Sequence, residues 1–140
     1  MEKQADKLLI AAVTPSLLEK GADWFAKNFS EIEKNCGKNT FWSRNILIFE
    51  TGQNIKLSEF LRNITELGYA KVWETARRGE FSQRGGIIHI FPVNADKIFA
   101  VEFEGNFIGR ITGKDFTSSL KVKPTVQKQN LFLPGIFVLL

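Results

Sequence analysis

Cysteine, histidine, methionine and tyrosine each occur once in these 140 residues, and proline only four times. Each shortage closes off a class of function. With Cys36 as the only cysteine, no intrachain disulfide is possible, and a cysteine-rich metal site is excluded with it. A lone cysteine fits a reducing compartment. With His89 as the only histidine, a two-histidine metal site is impossible, and a Ser-His-Asp arrangement would have to use that residue. His89 stands inside "IIHIF" with no nucleophile elbow beside it, which reads as a strand histidine facing solvent or hydrogen-bonded. The N-terminal apolar run in "MEKQADKLLIAAV" is too short for a signal or membrane helix. A cytoplasmic protein with no membrane association is expected. No G-x-x-x-x-G-K-[ST] loop and no G-x-G-x-x-G after a strand occur, and "GKDFTSS" lacks the upstream glycine and following hydroxyl of a P-loop. The carboxylates are scattered, with no pair set up for acid–base work. Nothing argues for catalysis, a cofactor or a metal, and a non-enzyme is expected.

What is present is apolar and mildly basic. The chain is 44% apolar and 12% aromatic, with thirteen phenylalanines, enough for one globular domain with an aromatic core. Nineteen Lys and Arg against fifteen Asp and Glu give a net charge of +4. That is compatible with nucleic acid, with an acidic protein surface or with a merely solvated surface.

Periodicity sets out the elements. "KLLIAAV" (7–13) reads as a buried strand, ended by Thr14-Pro15 at a helix start. Trp24, Phe25, Phe29 and Ile32 fall near helical spacing, and "KNCGKN" breaks that helix. "NILIFETGQ" (45–53) reads as a strand. In "IKLSEFLRNITELGY", Leu57, Phe60, Leu61, Ile64 and Leu67 form one apolar stripe, with Gly68 placed for a left-handed cap. "YAKVWETA" is extended. "GGIIHIFP", "KIFAVEFEG" and "NFIGRIT" predict a three-stranded antiparallel meander with turns at "VNAD" and "GN". The fold class is therefore α+β: a small antiparallel sheet with one amphipathic helix packed on it, preceded by a strand and a helical segment. Leu57, Phe60, Ile64, Leu67, Ile88, Ile90, Val101 and Phe103 are its expected core. Three parts are expected: 1–44, a strand and helical segment; 45–113, the main module; and 114–140, a linker with a C-terminal strand.

"RRGEFSQRGGIIHIF" (77–91) concentrates arginines and glycines before an apolar strand. It predicts a tight region around Gly79, Gly85 and Gly86 that exposes Arg77, Arg78 and Arg84. Arg84, at the strand entrance, has its backbone held by the sheet and its guanidinium fork available to a carboxylate or phosphate. Internal pairing with Glu80 or Glu102 is the other reading of these residues.

The stretch "GQNIKLSEFLRNITELGYAKVWETARRGEFSQRGGIIHIFPVNADKIFAVEFEGNFIGRI" resembles the UvrA-binding domain shared by the bacterial transcription-repair coupling factor and UvrB. The resemblance runs through Gly52-Gln53, the helix Leu57 to Leu67, Gly68-Tyr69, Gly79 to Gly85, Ile87 to Pro92 and Val101 to Asn106. "RGGII" followed by "IFP" is closest to the coupling-factor version. "LLIAAVTPSLLEK" is similar to the strand and Thr-Pro turn that lead into this domain, and "LPGIFVLL" to the start of the coupling factor's polymerase-interacting region. The sequence departs from the family at His89, usually acidic, at Asn106, usually Asp, and at 22–39, which has no counterpart. Ser82 stands where UvrB carries a further arginine, which favours the coupling-factor branch.

The resemblance implies an α+β interaction module of nucleotide excision repair that binds UvrA without catalysis of its own. It also implies that the chain is a fragment or a stand-alone relative, because the family's ATPase motifs are absent, and that the rest of a coupling-factor chain is a further partner. Residue by residue, it places UvrA binding on Arg84 and Lys71; with Arg84 mounted between Gly79 and Gly85-Gly86, the two are expected on one exposed face of the sheet, with Arg78 as auxiliary. Two other functions stay open on the residues alone. One is a small basic nucleic-acid-binding domain, for which at most weak DNA binding is expected; the other is a non-autonomous piece of a helicase-like ATPase.

Overall fold

The structure, a computed structural model, describes residues 3–115. The expected linker and C-terminal strand lie outside the described residues from 116 onward. Eight strands and four helices follow in the order β1 (Lys3–Ala5), β2 (Lys7–Ala11), α1 (Pro15–Leu18), α2 (Gly21–Cys36), α3 (Thr40–Asn45), β3 (Ile46–Glu50), α4 (Leu57–Glu66), β4 (Ala70–Lys71), β5 (Glu80–Arg84), β6 (Ile87–Phe91), β7 (Lys97–Glu104) and β8 (Phe107–Asp115). The class is α+β. A six-stranded sheet runs β1-β8-β7-β6-β5-β4, and β2 and β3 form a separate antiparallel pair.

The sheet is larger than the meander expected from "GGIIHIFP" onward, because Glu80–Arg84 is itself a strand. It pairs antiparallel with β6 in the register Glu80↔Phe91 to Arg84↔Ile87. The tight region shrinks to a two-residue turn, Gly85-Gly86. Gly85 has φ of 60°, the left-handed value that the first position of such a hairpin turn demands and that glycine adopts without strain. "EFSQR" hides its strand character because Ser82, polar in sequence, is buried. Its hydroxyl is hydrogen-bonded to the Thr75 hydroxyl at 2.8 Å. β4 adds a short parallel edge, Ala70↔Glu80 and Lys71↔Phe81.

The strand Lys3–Ala11 is shared between the two sheets. β1 pairs with β8, and one residue later β2 pairs with β3. Leu8, Leu9 and Ile10 are fully buried, so β2 is covered on both faces, which is why it reads as an unbroken apolar run. On one side lies α2, whose Phe25, Phe29 and Ile32 are buried at i, i+4 and i+7. Lys7 reaches from β2 to Glu33 of α2 at 2.5 Å and to Glu50 of β3 at 3.2 Å. Trp24 of α2 stacks on Trp42 of α3 at 6.2 Å between centroids. On the other side lies α4. Its Phe60 ring sits 4.5 Å from Phe49 of β3 and 5.2 Å from Phe103 of β7, joining both sheets through one aromatic column. All eight expected core residues are buried or half-buried.

Helix α4 stops as its sequence predicts. Gly68 has φ of 95° and donates to Thr65 O at 2.9 Å. A Cβ on Gly68 would also meet Val13 Cβ at 3.3 Å, so a second reason for glycine is close chain approach. Beyond it, the buried Tyr69 hydroxyl donates to Ala11 O at 2.8 Å and accepts from Val93 N–H at 3.0 Å. Burial pushes this phenol well above the usual tyrosine range. Asn94, fully buried, bonds the same edge of β2: its amide donates to Leu9 O and its carbonyl oxygen accepts from Ala11 N–H, both at 3.0 Å. These two side chains satisfy a strand edge that no other strand covers.

Two substitutions test this stitch. Tyr69→Phe leaves Ala11 O and Val93 N–H without their partner and is expected to cost about 1–3 kcal/mol. Asn94→Ala leaves two backbone groups of β2 unpaired and is expected to cost roughly 2 kcal/mol or more. Urea unfolding of both variants checks this; unchanged midpoints would show that the edge is satisfied in some other way.

Candidate functional site

The outward face of the six-stranded sheet is fixed by alternation. Side chains opposite one another in paired strands share a face, and neighbours along a strand alternate. One row across the sheet therefore reads Arg84, Ile87, Glu102, Arg110. The next reads Ser82, His89, Ala100, Thr112, and is covered: Ser82, Ala100 and Thr112 are buried and His89 is half-buried, so the Arg84 row is the open part of this face. The opposite face carries Phe81, Ile90 and Phe99, and Ile88, Val101 and Ile111, all buried toward α4. A bulge in β8 leaves Gly109 unpaired and turns Ile108 inward opposite Phe103, which contacts Phe60.

Arg84 ends β5 and is exposed. The two carboxylates weighed as its internal partners are both engaged elsewhere. Glu80 accepts from the N–H groups of Ala76 at 3.1 Å and Arg77 at 2.9 Å, and those bonds hold its carboxyl below the usual range. Glu102 accepts from Arg110 Nη2 at 2.7 Å and Nε at 3.3 Å. Among the described residues the Arg84 side chain makes no hydrogen bond or ion pair.

Lys71 is also exposed but leaves the sheet on the other side. It stands opposite Phe81 in the parallel pair, its Nζ lies 3.5 Å from Gln83 Oε1, and with Phe81, Leu61 and Arg62 it lines a groove against α4. The expectation that Arg84 and Lys71 share one face is not met. The reason is the two-residue pleat: positions 81 and 83 share a face, and 84 takes the opposite one. Arg78 is engaged within the chain. Its Nε donates to Ala95 O at 2.8 Å, its Nη2 pairs with the Asp96 carboxylate, and its guanidinium lies 5.7 Å from the Phe91 ring centroid.

The residue that pattern reading passed over is Trp73. It is 88% exposed, the most exposed large apolar side chain described. Its sequence signal was a tryptophan set among charges in "AKVWETARR", with polar residues, Lys71 and Thr75, two positions to either side. Among the described residues no group of three or more His, Cys, Asp or Glu is placed to hold a metal, and no helix is long and apolar enough to cross a membrane.

With this geometry, the comparisons with known proteins are specific. Residues 47–132 match the UvrB interaction domain, more than half of the chain. The chain belongs to that family. It is 33% identical over 105 residues to the UvrABC system protein B of Lactobacillus acidophilus, covering 74% of this chain and 15% of that protein. It is 32% identical over 76 residues to the UvrABC system protein B of Fervidobacterium nodosum, covering 54% and 12%. It is 35% identical over 57 residues to the transcription-repair-coupling factor of Staphylococcus aureus, covering 41% and 5%. The chain thus spans a small part of the length of these relatives. It carries an interaction domain that is found in bacterial DNA-repair proteins.

His89, in the middle of the outward face, gives a pH test. Burial lowers its pKa from 6.5, and the cations Lys114 and Arg84 push the same way. The unfolded chain then takes up this proton before the folded one does. The contribution of neutral His89 is complete above the unfolded value near 6.5 and falls away as pH drops through it toward the lower folded value. Relative to His89→Gln, the wild type is expected to lose melting temperature between pH 7.5 and pH 5.5; parallel curves for the two proteins would remove His89 as the cause.

Proposed function

We propose that this chain is a non-catalytic docking module that binds UvrA through the outward face of its six-stranded sheet, with Arg84 as the principal contact. The observation that carries this reading is the state of Arg84. Its backbone is fixed by the β5–β6 hairpin, and Glu80 and Glu102 are taken up by other donors. A guanidinium so mounted loses little freedom when a partner's carboxylate binds its fork. The family assignment supports an interaction role, and the relatives, UvrABC system protein B and the transcription-repair-coupling factor, support a repair setting for it. Lys71 is a peripheral contact at the sheet edge, and Arg78 contributes by holding the loop that precedes β5. The rest of a coupling-factor chain is a second proposed partner, and the setting is the bacterial cytoplasm.

Removing one partner of a well-buried interfacial charge pair costs about 2–5 kcal/mol. Arg84→Ala is therefore expected to weaken UvrA binding by roughly one and a half to nearly four decades. Lys71→Ala is expected to cost less, about 1 kcal/mol, as a solvated ammonium at a rim does. Melting curves of both variants should match the wild type, since both side chains are exposed. Titration of purified UvrA with each protein is the measurement. Normal binding by Arg84→Ala, or its unfolding, would show that Arg84 is structural. A short DNA duplex in the same assay should bind weakly at physiological salt; tight binding lost in Arg84→Ala would replace UvrA by phosphate as the ligand.

A further inference from the structure

We infer that Trp73 is the aromatic anchor of the docking surface, seated beside Arg84 and made to enter an apolar hollow rimmed by carboxylates on the partner. The inference rests on the UvrA-binding reading above and adds to it the residue that gives the contact its grip. Tryptophan is rarely left in water when a core is available, and here it is 88% exposed while Trp24 and Trp42 stack against each other.

The exposure is not that of a loose segment. Val72 N–H donates to Phe81 O at 2.8 Å just before Trp73, and Thr75 Oγ1 bonds Ser82 Oγ at 2.8 Å and His89 O at 3.0 Å just after it. The Glu80 carboxylate then caps Ala76 and Arg77. The chain thus climbs beside β5 to the level of Ser82, bends at Trp73 and Glu74, and returns to the level of Glu80. Trp73 sits at the crest of that bend, the part of the loop toward the Arg84 end of β5. Arg84's cross-strand neighbour Ile87 is 38% exposed on the same face. An indole, a free guanidinium and a branched aliphatic brought to the same end of β5 would have the composition of an interface hot spot, in which Trp and Arg dominate. Around the bend, Lys71, Arg77 and Arg84 outnumber Glu74 and Glu80, so the complementary surface is acidic.

The test uses the whole chain and purified UvrA. Trp73→Ala is expected to weaken binding by roughly thirtyfold or more, the effect of truncating a hot-spot aromatic, with an unchanged melting temperature. Trp73→Phe, which keeps an aromatic ring, should recover much of that loss. Indole fluorescence should shift when UvrA is added to the wild type, and that shift should vanish in Trp73→Phe, because the other two tryptophans lie away from the loop. If the wild type binds, Arg84→Ala weakens binding and Trp73→Ala does not, the anchor is refuted while the docking reading stands. If the wild type does not bind UvrA at all, both fall together.

Discussion

Two buried polar side chains, Tyr69 and Asn94, decide how this molecule is put together. β2 has β3 on one edge and nothing of strand form on the other, yet it lies in the middle of the protein with Leu8, Leu9 and Ile10 out of contact with water. Unpaired N–H and C=O groups in that setting would cost several kcal/mol. Asn94 supplies a donor and an acceptor to Leu9 and Ala11, and Tyr69 a donor to Ala11. The stitch therefore fixes the small sheet against the large one. Because Tyr69 directly follows the cap of α4 and directly precedes β4, it also sets where the basic loop begins.

From that point the pleat takes over. Once Phe81 is turned to the core, every second residue of β5 is committed, and Arg84 must leave on the face that carries Ser82. No adjustment of side-chain rotamers brings Arg84 and Lys71 to one face. A resemblance that gives two basic positions supplies residue types; whether they act together depends on strand register, which periodicity alone left undetermined here. The same logic divides the arginines. Arg78 and Arg110 are each held by a carboxylate within the chain, whereas Glu80 and Glu102, the two carboxylates considered for Arg84, are already taken.

The α4 stripe, its glycine stop, the buried β2 and the three strands of the meander were all legible, because each rests on a strong local signal: regular spacing, a φ only glycine adopts freely, or an unbroken apolar run. Arg84 was legible as exposed and rigidly mounted. β5 was not, since its burial depends on Thr75, seven residues upstream, closing over the Ser82 hydroxyl. Nor was the pairing of Arg78 with Asp96, or the attachment of β1 to β8, which joins the two ends of the described chain. Such contacts are made across sequence distance, where composition and period carry no information. The expected division at residue 44 follows composition; the hydrogen bonds instead run β1 into the large sheet and β2 against β3.

Trp73 shows the limit of pattern reading from the other side. An aromatic in an extended segment is ordinarily assigned to the core, because most of them are there. Its exposure follows from the hydrogen bonds that flank it. Val72 and Thr75 are both fastened to β5, so the two residues between them must arch outward, and whichever side chain stands at the crest is presented to solvent. The bend imposes the exposure, and the sequence places there the side chain with the largest apolar surface. A serine or glycine would satisfy the bend at no hydrophobic cost. An indole at that crest offers a partner surface more apolar area to cover than any other side chain could.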